Sequence, residues 1–181
     1  FYGVTPDLAV YGKGLGAGYP IGAVAGSNEL MSPLDPATRD NLYIFSLGGY
    51  HSNPLSATAA VATITELGKP RVYENLKSYG THLRQELSEL FGRSGLTTQM
   101  TGVGSIVEFF FTEDPITDYR STLRSNLHLK DLLGQVLPRH GVFGGGGRYA
   151  LSTCHRDDEL SALLNALDSS LQDIELGRGT E

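Results

Sequence analysis

The feature that most limits what this chain can fold into is the stretch Leu8-Ala9-Val10-Tyr11-Gly12-Lys13-Gly14-Leu15-Gly16-Ala17-Gly18-Tyr19-Pro20-Ile21-Gly22-Ala23-Val24-Ala25-Gly26. The apolar run Leu8 to Tyr11 reads as a buried strand, and Ile21 to Ala25 reads as a second small one. Glycines at 12, 14, 16 and 18 allow a tight turn between them and let another group approach the backbone. Lys13 stands at the strand end. In apolar surroundings a lysine loses hydration, which favours its neutral, nucleophilic amine. On the residues alone, a solvated loop lysine between two strands is the competing reading. Two phosphate-binding motifs are excluded. A Walker A loop needs Ser or Thr where Gly14 stands and glycine where Asp7 stands, and the alternating glycines lack the G-x-G-x-x-G register.

The balance of charge narrows the partners. With 181 residues and a formal net charge of −6, the chain lacks the basic face that nucleic acids and anionic membranes favour. The single cysteine, Cys154, excludes an internal disulfide and a cysteine-cluster metal site. No apolar run approaches the ~20 residues of a membrane helix. With no secretory pattern, a cytoplasmic location is the expectation.

Further along, Ser27 predicts an N-cap for a single turn over 28–31, and residues 32–43 read as a surface loop. The segment Phe45 to Pro54 leads into a helix, with Asn53 or Ser52 as cap, Pro54 at the first position and small residues from Ala57 to Leu67. A capped loop-to-helix entry is its plain reading; a phosphate or dimer contact is the functional one, since helix N-termini attract anions. Val72, Leu76, Tyr79, Leu83, Leu87 and Leu90 predict a long helix over 71–91 with one apolar stripe. Glu74, Lys77, Arg84, Glu86 and His82 read as solvated surface. Strands are predicted within 97–112, with Phe109, Phe110 and Phe111 as core. A helix follows over 119–139, then a strand from Gly141, four glycines at 144–147, a strand over 150–153 and a last helix over 157–171. Asp157, Asp158 and Glu159 suit the first turn of that helix.

The order Pro6-Asp7-Leu8, three residues, Gly12-Lys13, a glycine-rich turn, Pro20, Gly22-Ala23 and Gly26 resembles the Schiff-base segment of class III pyridoxal-phosphate-dependent aminotransferases. It is closest to the branch containing glutamate-1-semialdehyde aminomutase. Val103 to Ile106, the phenylalanine run and Pro115 to Tyr119 follow the same branch. The resemblance implies that Lys13 is catalytic and holds pyridoxal 5'-phosphate (PLP). It also implies a phosphate contact at Gly48 and Gly49, reaching the neighbouring subunit of a homodimer whose active site lies at the interface. The family pattern there is Gly-Thr-x-x-Gly-Asn-Pro. This chain keeps Gly48, Asn53 and Pro54, but Gly49 replaces the threonine and Ser52 the second glycine, so backbone amides, His51 or Ser52 must substitute. The glycine run at 144–147 reads either as a flexible surface hairpin or as a substrate-facing loop. Arg148 beside it either pairs a substrate carboxylate or is a surface arginine.

The fold so implied is α/β, PLP-dependent transferase fold type I. Residues 1–69 would be the C-terminal portion of the large domain, 70–92 a connecting helix, 93–175 a small α+β domain and 176–181 a frayed tail. The family's phosphate loop, ring-stacking aromatic and ring-nitrogen aspartate lie upstream of the segment matched here. The expectation is therefore a C-terminal fragment, inactive alone, of an aminotransferase or aminomutase acting on a small amino or keto substrate. The alternative is a truncated or degenerate chain that folds only with a partner.

Overall fold

The computed structural model describes residues 3–38, 43–45, 48, 51, 53–144 and 147–177. It divides into two compact units, Phe1–Pro70 and Arg71–Glu181.

In the first unit, β1 (Leu8–Tyr11) pairs antiparallel with β2 (Ala23–Gly26), Leu8 lying opposite Gly26 and Tyr11 opposite Ala23. A 3-10 turn over Lys13–Gly16 joins them. The short helix α1 (Asn28–Met31) starts at Ser27, whose Oγ accepts the Leu30 N–H at 3.4 Å. Helix α2 (Pro54–Leu67) starts at Asn53, whose Oδ1 accepts from the Leu55 N–H at 3.0 Å, with Pro54 in the first turn. Both caps follow the sequence reading. The burial expected for β1 does not: Leu8, Val10 and Tyr11 are exposed, Val10 at 81%. A two-stranded ribbon buries little unless another layer covers it. Here α2 packs on the 3-10 turn, and no described element of this unit lies across the strands.

The second unit carries the core. Helix α3 (Val72–Arg93) supplies Leu83, Leu87, Leu90 and Phe91. It packs on a three-stranded antiparallel sheet of order β3 (Thr98–Thr101), β4 (Ile106–Phe111), β5 (Arg148–Ala150). Val107, Phe109 and Phe111 alternate onto the face that meets α3, as period-2 geometry requires. Phe91, Phe109 and Phe111 form a triangle with ring centroids 4.7, 5.2 and 5.3 Å apart. Leu133 of α5 (Leu127–Val136) and Leu160, Leu167 and Leu171 of α6 (Asp157–Glu175) close the core.

Four sequence expectations are corrected. The helix over 119–139 is broken into α4 (Tyr119–Thr122), α5 and a 3-10 turn over Leu137–His140. Asn126 sets the break: its side chain caps α5 through the Leu129 N–H, and its own N–H donates to the Phe111 carbonyl at 2.9 Å. Residues 141–143 form no strand, since Gly141 takes a left-handed conformation and Phe143 is 99% exposed. The last strand lies at Arg148–Ala150 rather than 150–153, because Ser152 and His155 close a turn through the Ser152 N–H to His155 Nδ1 bond at 2.8 Å. Arg84 is not solvated surface. Its guanidinium donates to the carbonyls of Gly104 and Ile106 at 3.3 and 2.9 Å, fastening the β3–β4 loop to α3.

That fastening explains a glycine inside the longest helix. A Cβ on Gly80 would stand 2.0 Å from the Gly104 carbonyl oxygen, whereas one on Gly92 meets nothing within 4 Å. Gly80→Ala is therefore expected to destabilise by about 2–3 kcal/mol through forced backbone shifts. Gly92→Ala, in the same helix, is expected to stabilise by up to about 1 kcal/mol through helix propensity. Urea unfolding of the two variants checks this, and equal midpoints would contradict the close approach.

Candidate active site

Lys13 is placed by geometry rather than by burial. It is the first residue past Gly12 at the end of β1, with φ +52° in the left-handed region, and its side chain is exposed. A non-glycine residue held there costs about 1–3 kcal/mol and marks sites where the backbone is over-determined. The determination comes from the 3-10 turn, where the Leu15 N–H donates to the Gly12 carbonyl at 3.1 Å and the Ala17 N–H to Gly14 at 3.2 Å. Gly16 is buried against Ile21, whose Cγ2 would stand 2.7 Å from an added Cβ. The apolar surroundings expected for Lys13 are not supplied by the described residues of this unit.

The backbone beside the lysine is open. Cβ positions built on Gly14 and Gly18 meet nothing within 4 Å, and one on Gly12 comes only as near as 3.9 Å to the Ile21 carbonyl. A primary amine presented on a glycine-rich turn has the chemistry to condense with an aldehyde-bearing cofactor such as PLP. Among the described residues no group of His, Cys, Asp and Glu is placed to hold a metal ion.

Gly48 accepts the His51 N–H at 3.0 Å in a turn that precedes α2. Gly49 and Ser52 lie outside the described residues, so the threonine replacement has no geometry here.

In the second unit, Arg148 opens β5, exposed, with its Cα paired across the sheet with that of Glu108. It borders a cleft of about 460 Å³ together with Tyr79, Val142, Phe143, Tyr149 and His155. Of the glycine run, Gly147 is buried, and a Cβ on it would stand 2.7 Å from the Phe109 ring. That end is core rather than a flexible hairpin; Gly145 and Gly146 lie outside the described residues.

Two residues of this region escape a reading by motif. Lys130 is buried in α5 and its Nζ lies 3.1 Å from Glu108 Oε1. The signal was present in the sequence, as a lone cation among Leu127, Leu129, Leu132 and Leu133 and a lone anion in Ile106-Val107-Glu108-Phe109. Charges at such positions are rarely buried unless paired.

Burial raises the Tyr149 phenol far above its ordinary value. Tyr79 is raised as well, first by burial and then by Asp157 and Glu159; its hydroxyl donates to the Arg156 carbonyl. A phenol raised in the folded state contributes stability that is whole below the unfolded value of about 10 and is lost as pH rises beyond it. Tyr149 is expected to ionise only in step with alkaline unfolding. Following phenolate absorbance against pH tests this, and a profile unaltered by Tyr149→Phe would refute it.

Comparison with known proteins places this arrangement. Residues 1–130 match the family model for class-III aminotransferases. Glutamate-1-semialdehyde 2,1-aminomutase 1 of Staphylococcus epidermidis is 31% identical over 177 residues, covering 96% of this chain and 40% of the relative. An omega-transaminase from Sphaerobacter thermophilus is 32% identical with a TM-score of 0.84, covering 96% of this chain and 40% of that one. A transaminase with PLP bound is 28% identical with a TM-score of 0.80, covering 99% and 41%. The chain thus spans about two fifths of the length of these relatives, with the fold of PLP-dependent transferases of fold type I. From its first described strand through the phenylalanine core to α5, the chain belongs to the class-III aminotransferases.

Proposed function

We propose that this chain is the lysine-bearing C-terminal part of a PLP-dependent enzyme that moves an amino group on a small amino or keto substrate. The observation that carries the reading is Lys13: an exposed primary amine fixed at a strand end with left-handed backbone, on a glycine-rich turn. PLP, when bound, supplies the electron sink for cleavage at the substrate's α-carbon. Lys13 Nζ holds the cofactor covalently. The same nitrogen, when free of the cofactor, would carry a proton between two carbons at the site, a transfer worth about 10²–10⁴ in rate. Arg148, with a planar fork of donors, receives a substrate carboxylate. The desolvation that Lys13 lacks within this unit is supplied by the remaining large domain and by a second copy in a homodimer. Gly48 and the amides before α2 serve the cofactor phosphate across that interface. The domain limits anticipated above, 1–69, 70–92 and 93–175, go with this reading.

The relatives named above include an aminomutase and an omega-transaminase, and the two reactions share the lysine. The glycine run and the cation at Arg148 favour a shifted, carboxylate-bearing amine as substrate, with ordinary transamination as open to this site as the mutase reaction. The rival reading is a non-catalytic chain that folds with a partner; Gly49 in the threonine position is what favours it.

Borohydride reduction of the PLP-loaded enzyme containing this chain, followed by peptide mapping, is expected to place the label on Lys13. Lys69 is paired with Glu66 and Lys130 with Glu108, so label on either, or on Lys77, would sink the assignment. Lys13→Ala is expected to lower amino transfer by at least ~10²-fold. The choice between reactions is read by supplying glutamate-1-semialdehyde with no keto acid. Slow conversion is expected, and fast formation of 5-aminolevulinate that Arg148→Ala leaves untouched would contradict the substrate shift and the role of Arg148 together.

A further inference from the structure

An arginine and a glutamate directly opposite each other on paired strands ordinarily attract. Arg148 and Glu108 hold such positions, as Cα partners of antiparallel β5 and β4, and their side chains leave the same face of the sheet. They form no ion pair, and Arg148 has none with any described residue. The carboxylate is engaged elsewhere: Lys130 Nζ holds Glu108 Oε1 at 3.1 Å. The ammonium that holds it cannot wander. Its side chain is 9% exposed, against 28% for Glu108, and it sits 3.8 Å from the centroid of the Phe110 ring, where cation–π attraction adds to the ion pair. Phe110 is itself buried.

We propose that Lys130 is a positioning residue that keeps Glu108 away from Arg148, leaving the guanidinium open to a carboxylate arriving from solvent on that face of the sheet. The inference rests on the reading of Arg148 as the carboxylate partner and adds the reason why a nearby internal carboxylate does not occupy it. Without Lys130, Glu108 retains access to solvent and lies one cross-strand step from Arg148, the separation at which opposite charges pair. An internal partner at that distance competes with any ligand, because the guanidinium fork accommodates one bidentate carboxylate at a time.

The test uses glutarate, a dicarboxylate with no amine to react, titrated into the full chain while NMR follows the Arg148 Nε–H and the amides of 147–151. Lys130→Met is expected to weaken glutarate at least tenfold and to move the Arg148 Nε–H signal, before any ligand is added, toward its ion-paired position. Lys130→Met/Glu108→Gln, which removes the competing carboxylate, is expected to recover wild-type affinity within threefold. Thermal melts run alongside; if Lys130→Met does not fold, Lys130→Gln takes its place in both comparisons. Arg148→Gln separates the two layers of the argument. If it leaves glutarate binding unchanged, or if the wild-type chain binds no glutarate, the reading of Arg148 falls and the proposal with it. If Arg148→Gln abolishes binding but Lys130→Met does not weaken it, the positioning role alone is overturned. A loss in Lys130→Met that Glu108→Gln fails to restore marks Lys130 as a purely structural residue and overturns the proposal equally.

Discussion

The register of β4 governs the second unit. Val107, Phe109 and Phe111 must all face α3 to complete the ring triangle with Phe91. Because side chains alternate with a period of two, a slip of one residue would turn Glu108 into that triangle and expel three apolar side chains. The penalty for burying an unpaired carboxylate fixes the pairing. Once it is fixed, the rest follows without further choice. Glu108 lies on the opposite face beside Phe110, Arg148 is brought level with it, and Lys130 reaches down from α5 to neutralise it. The charged cluster is thus a by-product of packing three aromatic rings.

The first unit is held by a different constraint. Its turn is set by hydrogen bonds between glycine carbonyls and the amides three residues on, and by the contact of Gly16 with Ile21. Neither depends on what Lys13 does. The lysine is carried by a backbone that has already been bent, which is how a side chain can be aimed without being packed. Strain of this sort persists where surrounding structure over-determines the conformation.

Much of this was legible in the residues. The β1–turn–β2 element, both helix caps at Ser27 and Asn53, the stripe of α3 and the acidic first turn of α6 stand where spacing placed them. These are local signals, each carried by two to four neighbouring residues. What failed were features decided at a distance. Asn126 looks like any polar residue in a helix until its amide meets the Phe111 carbonyl fifteen positions earlier. Arg84 looks solvated until the β3–β4 loop folds back on it. The exposure of β1 likewise depends on a covering layer that the strand's own composition cannot report. For the site, Lys13 was singled out by its resemblance to a family motif and Arg148 by a departure from one, whereas the Lys130–Glu108 pair was announced only by two charges in apolar company.

The uncovered ribbon of β1 and β2 has a consequence for how such a chain behaves during synthesis. Among the described residues each strand has one side paired and the other open, and Leu8, Val10, Tyr11 and Val24 stand in solvent. Open strand edges with apolar side chains recruit further strands, from the same chain or from another. A nascent polypeptide whose ribbon has yet to acquire neighbours is therefore at its most adhesive, and prone to pair with a sister chain on the same messenger. A chaperone that meets this segment before it is covered would find its foothold on that ribbon.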